Sequence, residues 1–214
     1  MQQPTSRKTH VIFDVDGLLL DTEKFYTIAN QKTLERFGHD FTWELKEMMM
    51  GRSQKDAVSL LIQRLGLSVT VDEYLMPGAE RLVRHLHKHR IPMAVCTGSR
   101  RSQFILKTQN HHDFFLLFSH IVCNPDDSEV KRGKPFPDCF LVIASRFSEA
   151  PSPQNVLVFE DGKNGVEAAV NAGMQVVMVP DPRVDEEVRH KATLAIPSLL
   201  EFTPSLFSLP SFDD

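Results

Sequence analysis

The sequence predicts an α/β fold: a mostly parallel sheet with a small all-helical unit inserted after its first strand. Three observations predict it. Short β-rich runs alternate with longer segments of helical period. Residues 22–74 break that rhythm and read as helix throughout. A polar motif follows three of the β-rich runs, as expected where strands of an open sheet end.

Taken in order, the amino-terminal stretch MQQPTSRKT is charged and has no apolar h-region, so it does not read as a secretory signal. The strand candidates are HVIF (10–13), PMAVC (92–96), SHIVC (119–123), NVLVF (155–159) and QVVMV (175–179). Helix candidates between them span 78–89, 101–108, 136–147 and 163–172; in the last, Ala168, Ala169 and Ala172 suit close packing on a sheet. Within 22–74, three helical segments end at Gly38, Gly51 and Gly66, each where a glycine is expected just past a helix end. Pro77 and Gly78 mark the return to the alternating pattern. The expected domains are therefore 1–21 with 75–214 as the α/β core, and 22–74 as the helical insert.

Composition narrows the function classes. The 214 residues are 42% hydrophobic and 24% charged with net charge −4, an ordinary globular balance without the basic footprint of a nucleic-acid or membrane-surface binder. No apolar run approaches the ~20 residues of a membrane span. Cys96, Cys123 and Cys139 lie far apart without ligand-like spacing, which favours a reduced, cytoplasmic setting. The basic cluster HLHKHR (85–90) ends a helical segment, where cations complement the dipole. The histidines, His111 and His112 included, lack ligand spacing and read as surface or packing residues.

The three strand-end motifs are Asp14-Val15-Asp16-Gly17, Thr97-Gly98-Ser99 and Glu160-Asp161-Gly162. Ligands of open parallel sheets bind beyond the carboxyl ends of the strands, so the motifs point to one shared site. There Asp14, Asp16, Glu160 and Asp161 would repel one another by about 4 kcal/mol per pair at ~4 Å and an effective dielectric of about 20. Such a cluster calls for a cation, and oxygen donors without histidine or cysteine favour Mg²⁺ over zinc or copper. A metal beside a carboxylate suits a phosphorylated substrate. Thr97 and Gly98 offer a hydroxyl and a backbone N–H to phosphate oxygens. Lys134, in a loop stiffened by Pro135 and Pro137, would neutralise the phosphoryl group. Taken singly, the aspartates and Glu160-Asp161 read equally as turn or capping residues, Thr97 to Ser99 as an N-cap, and Lys134 as a solvated lysine.

Other motifs fit less well. Aligning DVDG with a calcium loop places Ile12 at loop position one, and a strand stands where a helix is required. The sequence contains no GxxxxGK[ST], GxGxxG or GxSxG.

Through these residues the chain resembles the haloacid dehalogenase superfamily of phosphatases. FDVDG resembles its first motif, with Gly17 and Leu18 in the variable positions. Thr97 is similar to its second, Lys134 in GKPFPD to its third, and Glu160-Asp161 in FEDGKNG to its fourth. The resemblance implies a Rossmann-like core with a subclass I helical cap at 22–74. It implies Asp14 as nucleophile through an aspartyl-phosphate, and Asp16 as acid and then base. It implies Mg²⁺ held by Asp14, the Asp16 backbone carbonyl and Asp161 with Glu160 close by, and phosphate held by Thr97, Gly98 and Lys134. The implied substrate is a small phosphorylated metabolite, pseudouridine 5′-phosphate or a related nucleoside or sugar phosphate, turned over by a monomer without nucleic-acid or membrane partners.

One departure stands out. LSVTVDEY runs directly into LMPGAE, so that the insert is expected to lack about one helix, roughly 20 residues, of the family's cap. Gly51, Arg52 and Ser53 either face the site from a cap loop or form a plain helix-to-helix turn. Two alternatives stay open on sequence alone: a phosphomutase related to β-phosphoglucomutase, and a cap-shortened form with little catalytic activity.

Overall fold

A computed structural model describes residues 7–20, 78–109, 111–181 and 184–213. The chain divides into two compact units, Met1–Leu20 with Leu75–Asp214, and Asp21–Tyr74. The helices expected over 22–74, the missing cap helix, and Gly51, Arg52 and Ser53 lie outside the described residues.

Among the described residues, six strands form one sheet: β1 (His10–Phe13), β2 (Met93–Thr97), β3 (His120–Cys123), β4 (Val156–Glu160), β5 (Gln175–Met178) and β6 (Leu194–Ala195). Their spatial order is β3, β2, β1, β4, β5, β6, and every pairing is parallel. Register runs from Ile12 beside Ala94 on one flank to Ile12 beside Val158 on the other. Because the order reverses between β1 and β4, their connections leave in opposite directions and open a crevice at the carboxyl ends. That crevice is where the polar motifs stand.

The apolar runs become strands because both faces are covered. All positions of β1, β2 and β4 are buried, which is why they read as unbroken hydrophobic stretches and not as alternation. On one face, Ile12, Ala94, Cys96, Val158 and Val176 pack in a single core cluster with Cys139, Phe140 and Ile143 of α4 (Asp138–Ser145) and Val166, Ala168 and Ala169 of α5 (Lys163–Asn171). Phe13 belongs to a second aromatic contact set, stacked on Phe159 at 4.9 Å and edge-on to Phe118 at 5.9 Å. Each such fully buried side chain contributes about 1.5–3 kcal/mol.

The remaining helices are α1 (Ala79–Lys88), α2 (Arg101–Thr108), α3 (His112–Phe115) and α6 (Glu186–Arg189). Helix α1 follows Gly78, whose φ of 90° suits only glycine and which sits against the Leu199 and Leu200 backbone. The helix ends within HLHKHR as expected, but His85 turns inward and lies 7% exposed. Helix α3, α6 and the two-residue β6 were not expected from the sequence. His111, read there as surface or packing, is buried at the start of α3. The three cysteines are buried and form no disulfide. No helix among the described residues is long and apolar enough to cross a membrane.

Candidate active site

Strand β1 is a fixed mount, and the chain leaves it through a tight turn. The N–H groups of Leu19 and Leu20 return to the Val15 carbonyl at 3.1 and 2.9 Å, and Gly17 takes φ 81° between them. A Cβ on Gly17 would overlap the Asp161 carboxylate, so glycine serves both the turn and the neighbouring side chain. Asp14 is anchored by its own N–H to the Phe159 carbonyl at 3.1 Å, across the β1–β4 seam. Strand β4 ends on Glu160, only 2% exposed, and Asp161 follows it.

The carboxylates of Asp14, Glu160 and Asp161 can each offer an oxygen such that all three lie within 4.8 Å of one another. Lys134 stands among them. Its ammonium donates to Asp14 Oδ1 at 2.6 Å, to Glu160 Oε1 at 2.5 Å and to the Cys96 carbonyl at 3.4 Å. Burial raises Asp14 to about 7 against the Lys134 charge, with Glu160 and Asp16 pushing the same way. Burial, reinforced by the charges of Asp14 and Glu160, also pushes Asp161 well above the ordinary carboxylate range. For Lys134, burial disfavours the ammonium, but Asp14 and Glu160 outweigh it and its pKa stands well above the usual lysine value.

Room for Glu160 comes from an unexpected position. Gly165 lies in α5, where alanine would be the better helix former, yet a Cβ there would overlap the Glu160 carboxylate. Helix α5 therefore carries a glycine where the acidic cluster approaches it.

Asp16 belongs to a second, adjoining network. Thr97, the last residue of β2, donates to Asp16 Oδ2 at 3.4 Å and accepts the Ser99 N–H at 3.0 Å. Ser99 Oγ donates to Asp16 Oδ2 at 2.9 Å, and Lys107 Nζ donates to Asp16 Oδ1 at 2.5 Å and to Ser99 Oγ at 2.9 Å. Asp16 is thus held by an ammonium and two hydroxyls on the β2–α2 side, away from the Lys134 contacts of Asp14. Gly98 lies exposed in the intervening turn with open space about it.

The structure thus brings Asp14, Glu160, Asp161 and Lys134 into one cluster and Asp16 and Thr97 into the next. The sequence places Ser99 in a strand-end motif without assigning it a role, and Lys107 was missed as a member. The signal for Lys107 was present: it follows Phe104 by three residues and precedes Thr108, both buried, so it projects from the inward side of α2.

The acidic cluster fits a hard divalent cation. Three carboxyl groups against one ammonium leave a formal excess of two negative charges once all are ionised, and among the described residues no nitrogen or sulfur ligand takes part in the cluster. Asp14, Asp161 and Glu160 are the residues that would hold it.

Comparison with known proteins places these features in context. A family model described as haloacid dehalogenase-like hydrolase matches residues 8–173. A Drosophila melanogaster protein named probable pseudouridine-5′-phosphatase is 46% identical over 222 residues, spanning 96% of each chain. An Arabidopsis thaliana protein named (DL)-glycerol-3-phosphatase 2 is 47% identical over 225 residues, spanning 96% of this chain and 93% of that one. Among solved structures, a HAD family hydrolase from Deinococcus radiodurans, crystallised with phosphate and sodium, shares the fold at TM-score 0.72, 22% identity and 96% coverage of each chain.

Proposed function

The chain belongs to the haloacid dehalogenase-like hydrolases, and on that premise we propose that it hydrolyses small phosphomonoesters through an aspartyl-phosphate on Asp14. The observation that carries the reading is the cluster itself. A carboxylate at the end of β1 has a partly buried lysine 2.6 Å away and two further carboxylates at its side.

In the first half-reaction an Asp14 carboxylate oxygen bonds to phosphorus as the bond to the leaving oxygen breaks. Asp16, two residues on, donates its proton to that oxygen. In the second half, Asp16 takes a proton from a water that attacks the same phosphorus. The bond to Asp14 then breaks, releasing inorganic phosphate and restoring both carboxyl groups. Lys134 neutralises the phosphoryl oxygens and offsets the repulsion between Asp14 and Glu160. Thr97 and Gly98 supply the hydroxyl and N–H for those oxygens. Mg²⁺, when bound by Asp14, Asp161 and the Asp16 carbonyl with Glu160 beside them, supplies charge neutralisation at the phosphoryl group. Ser99 and Lys107 fix the orientation of Asp16.

The names of the relatives direct the choice of substrates, pseudouridine 5′-phosphate first and glycerol 3-phosphate second. The test is phosphate release by the purified chain across a panel of nucleotide, sugar and glycerol phosphates, with Mg²⁺ and with EDTA. Selective, metal-dependent release supports the reading. Substrate loss without matching free phosphate would instead indicate phosphoryl transfer to a second hydroxyl, as a mutase performs.

A further inference from the structure

Away from the acidic cluster, at the far end of α1, we propose a second metal site, for a divalent transition ion such as Zn²⁺, formed by His85, His89 and Asp213. One ligand atom from each of the three can be chosen so that all lie within 4.8 Å of one another. The histidines read in sequence as lacking ligand spacing, yet His85 and His89 are a helical i, i+4 pair: His89 caps α1, and its N–H still bonds the His85 carbonyl at 3.1 Å. That spacing puts both rings on one helix face, with centroids 4.6 Å apart.

Two independent details suit the rings to a metal. His85 Nε2 lies 2.9 Å from the Pro210 carbonyl, which can only accept, so Nε2 carries a proton and, in the neutral ring, Nδ1 is the nitrogen with the lone pair. A backbone carbonyl that fixes the tautomer in this way is the usual support behind a metal-bound imidazole. His89 Nε2 is enclosed and has no hydrogen-bond partner among the described residues, a state an imidazole nitrogen leaves by ligating or by taking a donor.

The third ligand arrives on a docked segment. Leu209 is buried, the Phe212 ring lies 4.7 Å from the His85 ring, and the Arg81 guanidinium lies over the Phe212 ring at 3.9 Å. These contacts bring Asp213 beside the histidine pair. Donor atoms of a tetrahedral zinc site stand about 3.4 Å apart, given bonds of about 2.0 to 2.2 Å. The half-exposed His89 and exposed Asp213 can close the difference by side-chain rotation. Lys88 donates to Asp213 Oδ2 at 2.7 Å, an exposed pair that contributes little and leaves Oδ1 for the metal. Two imidazoles and one carboxylate select borderline ions, whereas the all-oxygen cluster at Asp14 selects hard ones. The two sites are therefore chemically separable. An occupied site would clip the segment around Pro210 to Asp213 onto α1.

The test is calorimetric titration of the full, tag-free chain with Zn²⁺ in excess Mg²⁺, for wild type, His89→Gln and Asp213→Asn. The proposal expects one bound ion, binding weakened about tenfold or more in each variant, and a thermal midpoint raised by Zn²⁺ in wild type alone. Metal-free midpoints of both variants should match wild type, which separates loss of the ligand from loss of the fold. Zn²⁺ binding that is absent, that excess Mg²⁺ abolishes, or that both variants retain would overturn it.

Discussion

Replacing Lys134 with methionine keeps a long apolar stem and removes the ammonium that stands 2.6 Å from Asp14 and 2.5 Å from Glu160. At those separations each attraction amounts to about 6 kcal/mol at an effective dielectric of about 20. Desolvation of the ammonium offsets much of it, and breaking a buried pair from one side costs about 3–5 kcal/mol in practice. For a chain of this size that corresponds to a fall of about 6–20 °C in melting midpoint. The orphaned carboxylates can recover part of the loss by taking up protons. Asp14 already has its pKa raised to about 7 by burial, so it is protonated in the folded metal-free state before the unfolded chain. The stability it contributes is complete below the unfolded value of about 4 and disappears as pH rises through the folded one. Losing Lys134 lifts the folded value further, so the variant's deficit should be larger at pH 8 than at pH 6. Thermal melts in EDTA at both pH values read this directly. A variant that melts with wild type at pH 8 would refute the role of Lys134 as counter-charge.

Three further outcomes follow from the same geometry. Gly165→Ala should keep its helix by circular dichroism yet lose about 100-fold in kcat/KM, because the new Cβ displaces Glu160; wild-type activity would contradict the packing argument. Lys107→Met should lower kcat by about 10- to 100-fold with little change in KM, because it frees the Asp16 side chain and not the phosphate contacts; a steady-state comparison in which only KM moves would contradict it. Lys8 is 1% exposed, bonded to the Gln154 carbonyl at 2.5 Å, and burial lowers its pKa to about 8. Its charge therefore opposes folding below that pH, and Lys8→Met should raise stability by about 1–3 kcal/mol at pH 7 in urea unfolding, with the gain fading toward pH 10.

The strands were legible because β1, β2 and β4 are buried on both faces and show as continuous apolar runs. A polar residue straight after such a run marks the strand's carboxyl end. Asp14, Thr97 and Glu160 were found on that signal, and Asp16 and Asp161 beside them. Lys134 was legible only through the company it keeps, since a lysine in a proline-bordered loop is ordinarily solvated. What escaped notice was either short or long-range. Helix α3 and strand β6 hold four and two residues, too few to display a period. Gly165 read as an ordinary weak point in a helix, because only the position of Glu160 gives it meaning. His85 read as one cation among several at a helix end; its partner, the Pro210 carbonyl, is 125 residues distant.

In the proposed reaction a carboxylate oxygen of Asp14 takes the phosphoryl group. The most direct measurement compares phosphate release by wild type and Asp14→Asn, both with Mg²⁺, on pseudouridine 5′-phosphate and on an activated phosphate ester. The account predicts that the variant loses at least about 1,000-fold on both substrates while folding as wild type does. Equal rates for the two proteins would contradict it.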